Sequence, residues 1–108
     1  MINAAVFGAT GYTGYELIQI LTQHPYVEIA FATSHSFAGQ TLDAIYPQAP
    51  HQPLLLSEDA ALDGVDVVFL CLPHAAAAET AVFALNAGCK VIDLSADFRI
   101  KDVAAYEA

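Results

Sequence analysis

Basic side chains are almost missing from this chain. Of 108 residues only Lys90, Arg99 and Lys101 are basic, so residues 1–89 hold no Lys or Arg at all, and the net charge is −9. Recognition of a phosphodiester backbone needs clustered cations, which excludes nucleic acid as an expected partner. An anionic membrane surface is disfavoured for the same reason. Long hydrophobic runs are also missing. Residues 65–85, the longest candidate, are interrupted by Asp66, Pro73, His74 and Glu79, short of the roughly 18 uninterrupted apolar residues that a membrane span needs. The N-terminus has no basic segment ahead of its first apolar run, so no signal peptide is expected and the cytoplasm is the expected compartment. Cysteine is scarce too: Cys71 and Cys89 form no Cys-x-x-Cys pair, which argues for reduced thiols over a disulfide framework.

What is abundant is apolar surface. The sequence is 56% hydrophobic and 14% charged, the reverse of a disordered composition, and its length suits one domain or part of one. Strand and helix patterns alternate along it. Residues 2–7 read as a buried strand. Residues 12–24 read as a helix, with Gly14, Leu17, Ile18 and Leu21 on one face, ended by Pro25. Residues 27–33 read as a second strand. Residues 34–58 read as loop, with a short helical turn near 42–46 and a minor strand at 54–56. The near-continuous apolar run 65–72 predicts a strand covered on both faces, as in a parallel sheet. A helix over 74–87 closed by Gly88, a strand over 90–94 and a helix start over 101–107 complete the pattern. This alternation predicts an α/β fold with a doubly wound parallel sheet joined by right-handed crossovers.

Three glycines spaced by two residues, Gly8, Gly11 and Gly14, follow the first strand and open the first helix. Gly8 permits a tight exit from the strand. Gly11 lets backbone approach a pyrophosphate, and Gly14 lets the helix pack closely on the sheet. The helix start offers unpaired N–H groups and a partial positive charge to an anion, which makes up for the missing cations. The order strand, turn, amphipathic helix therefore points to a Rossmann-type dinucleotide-binding domain, the plainer alternative being a packed turn that binds nothing.

At the end of the second strand an NAD site usually carries Asp or Glu, whereas this chain has Thr33, Ser34, His35 and Ser36. Small hydroxyls and an imidazole suit a 2′-phosphate better, so NADP is expected, although a plain surface loop can carry the same residues. Pro73 and His74 follow the third main strand, and Ser95, Asp97 and Arg99 follow the fourth. Ligands of open α/β sheets bind beyond the carboxyl ends of the strands, so all four clusters are expected at one edge. His74 alone is equally a helix-capping or solvated residue, and Asp97 with Arg99 reads most simply as a local ion pair that holds a loop. The four histidines show no metal-ligand spacing, and no metal is expected. Cys71 inside its apolar run and Cys89 at a strand entrance read as small buried hydrophobes and not as nucleophiles.

The segments GATGYTGYEL (8–17), HPYVEI (24–29), TSHSFAG (33–39), CLPH (71–74) and VIDLSADFRIKD (91–102) together resemble the N-acetyl-gamma-glutamyl-phosphate reductase family of arginine biosynthesis, over nearly the whole chain. The resemblance implies a two-domain, homo-oligomeric enzyme that uses NADPH to reduce a small acyl phosphate to a semialdehyde with release of phosphate. It also implies a cysteine that carries the acyl group as a thioester and a histidine that assists proton transfer. In the family that cysteine follows Asn-Pro-Gly, and these 108 residues contain no such sequence. Residues 1–108 are therefore expected to be the N-terminal, cofactor-binding portion, ending before the substrate domain and inactive alone, with no catalytic residue of their own. Carried over by motif, Gly8, Thr10, Gly11, Tyr12, Thr13 and Gly14 match the pyrophosphate site. Ser34 and Ser36 match the 2′-phosphate end, Pro73 and His74 the nicotinamide side, and Ser95 lies near it. One departure is His35, where the family often has Arg. A neutral imidazole does not replace a guanidinium fork, so a weaker or pH-dependent preference for NADP is expected. The alternatives are the related reductase acting on carrier-bound aminoadipyl phosphate, an aspartate-semialdehyde dehydrogenase, and a non-catalytic nucleotide-binding module.

Overall fold

The computed structural model describes residues 1–94. Strand β1 (Ile2–Phe7) leads through the glycine turn to helix α1 (Tyr12–Thr22), then to β2 (Val27–Thr33). A short helix α2 (Leu42–Ile45), strand β3 (Leu54–Leu55) and a 3₁₀ turn (Ser57–Asp59) precede β4 (Val67–Leu70), helix α3 (His74–Asn86) and β5 (Lys90–Asp93). The five strands lie in the order β3-β2-β1-β4-β5, and every neighbouring pair is parallel. This is the doubly wound sheet that the alternating pattern predicts, with its order reversing at β1. The expected helix over 101–107, and with it Ser95, Asp97 and Arg99, lies outside the described residues.

Each face of the sheet has its own core. On one side Ala4, Val6, Ile18, Leu21, Ala32, Leu42 and Leu54 pack under α1. On the other Ala5, Phe7, Phe31, Val68, Leu70, Ala77 and Ala84 pack under α3. Alternate residues of β1 therefore serve opposite faces, and both are buried because helices cover both. Strand β2 follows this alternation only after a register shift against β1, where Ala4 pairs with Ile29 but Ala5 with Phe31. The skipped residue, Ala30, reverses the parity of the strand, as a bulge does. Val27 and Ile29 face the α1 side, whereas Phe31 faces the α3 side. There Phe31 meets Phe7 edge to face, with ring centroids 5.5 Å apart.

Several elements are shorter than their apolar patterns. Helix α1 ends at Thr22 and not at residue 24: the N–H groups of Gln23 and His24 reach back only three residues, to Ile20 and Leu21 carbonyls, because Pro25 can donate no further bond. The strand expected over 65–72 pairs only from Val67 to Leu70. Val65 is used in a turn with Leu62, and Cys71 donates one last bond to the Phe7 carbonyl at 2.8 Å before the chain leaves the sheet. Helix α3 closes as expected at Gly88, with the Cys89 N–H on the Ala84 carbonyl and the Gly88 N–H on that of Leu85, the Schellman pattern.

Candidate functional site

Parallel pairing brings the carboxyl ends of β1, β2 and β4 to one edge, with β1 in the middle. The glycine turn therefore sits between residues 33–36 on one flank and 71–74 on the other. Lys90, the only Lys or Arg among the described residues, opens β5 at the opposite edge.

The three glycines differ in what the fold demands of them. Gly8 has φ +89°, and a Cβ there would stand 2.3 Å from the Cys71 carbonyl oxygen, so backbone conformation and the neighbouring strand both require glycine. Gly14 is required for space: its Cβ would lie 2.3 Å from the Gly8 oxygen and 2.8 Å from the Ala9 Cα. The tight contact of α1 is thus with the backbone of its own turn, where packing on the sheet was expected. Gly11 is different. Its backbone is extended (φ −73°, ψ 166°), and a Cβ would meet nothing closer than 3.9 Å. The space a side chain would fill at Gly11 is open. Gly11 is also the N-cap of α1, and no side chain caps the helix there.

Partly buried hydrogen bonds fix the turn in place. The Thr33 carbonyl accepts from Gly8 and Ala9 N–H at 3.2 and 2.8 Å, and Thr33 Oγ1 accepts from Gly8 N–H as well. Thr10 Oγ1 and Ser34 Oγ share a hydrogen bond of 3.0 Å, and Ser34 Oγ also accepts from the Phe37 N–H at 3.1 Å. Thr33 and Ser34 are each 1% exposed, so their hydroxyls serve the scaffold. His35 and Ser36 are exposed at the same strand end. Tyr12 lies on the surface, 73% exposed, and a hydrogen bond with Glu16, reinforced by its charge, holds its phenol above the ordinary pKa. Pro73 is the exposed N-cap of α3 and His74 its first residue. Ser95 lies outside the described residues.

Two residues of this region are not singled out by the sequence. Tyr46, just past α2, donates its hydroxyl to the Thr10 carbonyl at 2.6 Å. Its ring stacks on Tyr15 of α1, with centroids 4.1 Å apart and planes 15° from parallel. The only signal was an aromatic beside Pro47 in a segment that reads as loop.

Neither thiol is set up as a nucleophile. Burial, with a smaller contribution from Asp93, pushes the Cys71 pKa up to about 11. Cys89 is buried, its thiol donates to the Val65 carbonyl at 3.3 Å, and its pKa is raised by burial and then by Asp66. At pH 8 only about one Cys71 in a thousand is thiolate. Alkylation by iodoacetamide, followed by mass spectrometry at pH 8, should therefore be at least tenfold slower in the folded chain than in denaturant. Equal rates would show that the thiols are neither buried nor shifted.

Comparisons with known proteins agree with this fold. The profile of the family described as "Semialdehyde dehydrogenase, NAD binding domain" matches residues 3–107. Curated N-acetyl-gamma-glutamyl-phosphate reductases align over nearly all of the chain. That of Symbiobacterium thermophilum is 47% identical, covering 98% of this chain and 31% of the relative. Those of Nitrosomonas europaea and Laribacter hongkongensis are 47% and 44% identical, covering 99% of this chain and 32% of each relative. The chain thus spans about a third of the length of the curated relatives it matches. Among solved structures, an aspartate semialdehyde dehydrogenase with NADP from Candida albicans superposes with a TM-score of 0.72 at 24% identity, over 92% of this chain and 31% of that one. Aspartate semialdehyde dehydrogenase II from Vibrio cholerae superposes with a TM-score of 0.75 at 25% identity, over 92% of this chain and 29% of that one. With a parallel sheet, a glycine turn at its reversal point and a family profile that spans both, the chain belongs to the semialdehyde dehydrogenase NAD-binding domain family.

Proposed function

We propose that this chain is the NADP-binding part of an N-acetyl-gamma-glutamyl-phosphate reductase. The observation that carries the reading is the open space at Gly11. Gly8 and Gly14 are glycines because the fold has no room or no allowed conformation for anything else, but nothing in the fold excludes a side chain at Gly11. A glycine that packing does not need, at the N-cap of a helix on the ligand edge of the sheet, is suited to close approach by a pyrophosphate. Gly8, Thr10, Gly11, Tyr12, Thr13 and Gly14 would form that cradle. The absence of a carboxylate at the end of β2 favours a 2′-phosphate over a free 2′-hydroxyl, with the exposed His35 and Ser36 to receive it and the buried Ser34 holding their loop. Pro73, His74 and Ser95 would border the nicotinamide.

The bound cofactor would supply hydride, and the residues of this chain would bind and orient it. Cys71 and Cys89 remain protonated at neutral pH, so acyl transfer to a thiolate belongs to a residue outside residues 1–108. The substrate class follows from the reductases that match at 41–47% identity: a small acyl phosphate, handled by a cytoplasmic enzyme that is oligomeric at full length. The aspartate semialdehyde dehydrogenases share the fold at lower identity and rank below.

The test is calorimetric titration of the chain with NADPH and with NADH. NADPH should bind the more tightly. Gly11→Val should weaken binding at least tenfold while costing about 1 kcal/mol or less in stability, as for replacement of a glycine N-cap. Failure of both nucleotides to bind, or equal affinity in the variant, would overturn the reading.

A further inference from the structure

We infer that Tyr46 is a positioning residue for the nucleotide turn, an assignment that rests on the dinucleotide-binding reading above. Its hydroxyl donates to the Thr10 carbonyl at 2.6 Å. That carbonyl and the Gly11 N–H belong to one planar peptide unit, so holding the oxygen holds the direction of the N–H on its far side. A peptide unit beside glycine meets little steric resistance to flipping, and the space a Gly11 side chain would fill is open, its nearest atom 3.9 Å from a Cβ there. Tyr46 thus supplies an orientation that the turn lacks on its own. The hydrogen bond also polarises the peptide, which makes its N–H a better donor.

The hydroxyl is itself held in place. The Tyr46 ring lies flat on Tyr15 of α1. The backbone around α2 is tied down by Leu42 N–H on the Gln52 carbonyl and Tyr46 N–H on the Leu42 carbonyl, at 2.8 and 2.9 Å. Thr10 is gripped from the other side by Ser34 through their hydroxyls. Residue 10 is therefore fixed by α2 and by the end of β2 together. A turn already in its bound conformation loses less entropy on binding. The irregular connection between β2 and β3 acquires a purpose in this arrangement: it brings a phenol to the back of the phosphate cradle.

Tyr46→Phe keeps the ring stack and removes only the donor, which makes it the informative variant. In titrations of the chain, NADPH and NADH should each bind about five- to tenfold more weakly, as expected for one lost hydrogen bond. Adenosine 2′-phosphate, which has no pyrophosphate, should bind within twofold of the unaltered chain when followed by NMR to millimolar concentration. A purely structural role would weaken all three ligands together, so equal loss overturns the inference, as does unchanged NADPH affinity. If Tyr46→Phe fails to fold, Tyr15→Leu decides: selective loss of NADPH supports the positioning role and uniform loss overturns it. Absence of NADPH binding by the unaltered chain defeats the dinucleotide reading and this inference with it, whereas binding that Tyr46→Phe leaves untouched defeats the inference alone.

Discussion

Replacing Gly8 by alanine should remove a large share of this chain's stability, more than about 4 kcal/mol. The new Cβ would stand 2.3 Å from the Cys71 carbonyl oxygen and 2.9 Å from its carbon. Neither atom is free to retreat, because the Cys71 N–H is bonded to the Phe7 carbonyl at 2.8 Å on the same strand pair. Relief requires β1 and β4 to part at the edge where the turn begins. The positive φ adds a penalty of roughly 1–2 kcal/mol for any residue with a Cβ. The total should exceed about 4 kcal/mol, a large share of the 5–15 kcal/mol that holds a domain together. Gly14→Ala should be nearly as damaging, since its Cβ would lie 2.3 Å from the Gly8 oxygen. Both are read by thermal unfolding, where a loss of this size lowers the midpoint by about 20 °C or more. A midpoint within 5 °C of the unaltered chain would show that the turn relaxes around a methyl group. The contrast with Gly11→Val, which should fold and bind nucleotide at least tenfold more weakly, separates glycines that the scaffold requires from one that it does not.

Phe7→Ala should cost about 3–5 kcal/mol, the usual range for deleting a buried aromatic ring. Phe7 is 1% exposed and packs edge to face on Phe31. It also floors a groove of about 310 Å³ bordered by Ser57, Ala60, Thr80 and Phe83. Removing the ring joins that groove to a new cavity under α3, and the last residue of β1 then loses its anchor directly beneath the glycine turn. Urea unfolding should show a lower midpoint with little change in slope, and Phe7→Leu should recover most of the loss because it restores much of the volume. A loss below about 1 kcal/mol for Phe7→Ala would mean that the core under α3 is not closely packed at this edge.

Strands β1 and β2 end where the sequence pattern ends them, since an apolar run stopped by glycine or hydroxyl residues leaves few alternatives. The glycine turn was legible for a related reason: its spacing is local, and the helix that follows marks its direction. Helix and strand ends were less legible. They depend on which amide still finds a carbonyl, as at Gln23, His24 and Cys71, and no periodicity reports that. The bulge at Ala30 was invisible because apolar residues flank it on both sides, and only pairing with β1 decides which of them faces α1 and which α3. Ser34 shows the same limit at the site itself. A hydroxyl at a strand end reads as a candidate ligand in sequence, but its partners Thr10 and Phe37 come from different positions in the chain and turn it inward.

By itself, then, the order of residues determined the strand–helix alternation, the glycine turn at its first crossover, and the scarcity of cations along the chain. These follow from short-range periodicity and from composition. Tertiary structure alone decided which glycines serve packing and which leaves room, which hydroxyls are spent on the scaffold, and that Tyr46 reaches back across 36 residues to hold Thr10. Those outcomes depend on contacts between segments distant in sequence, and the distances between such segments are set by the sheet.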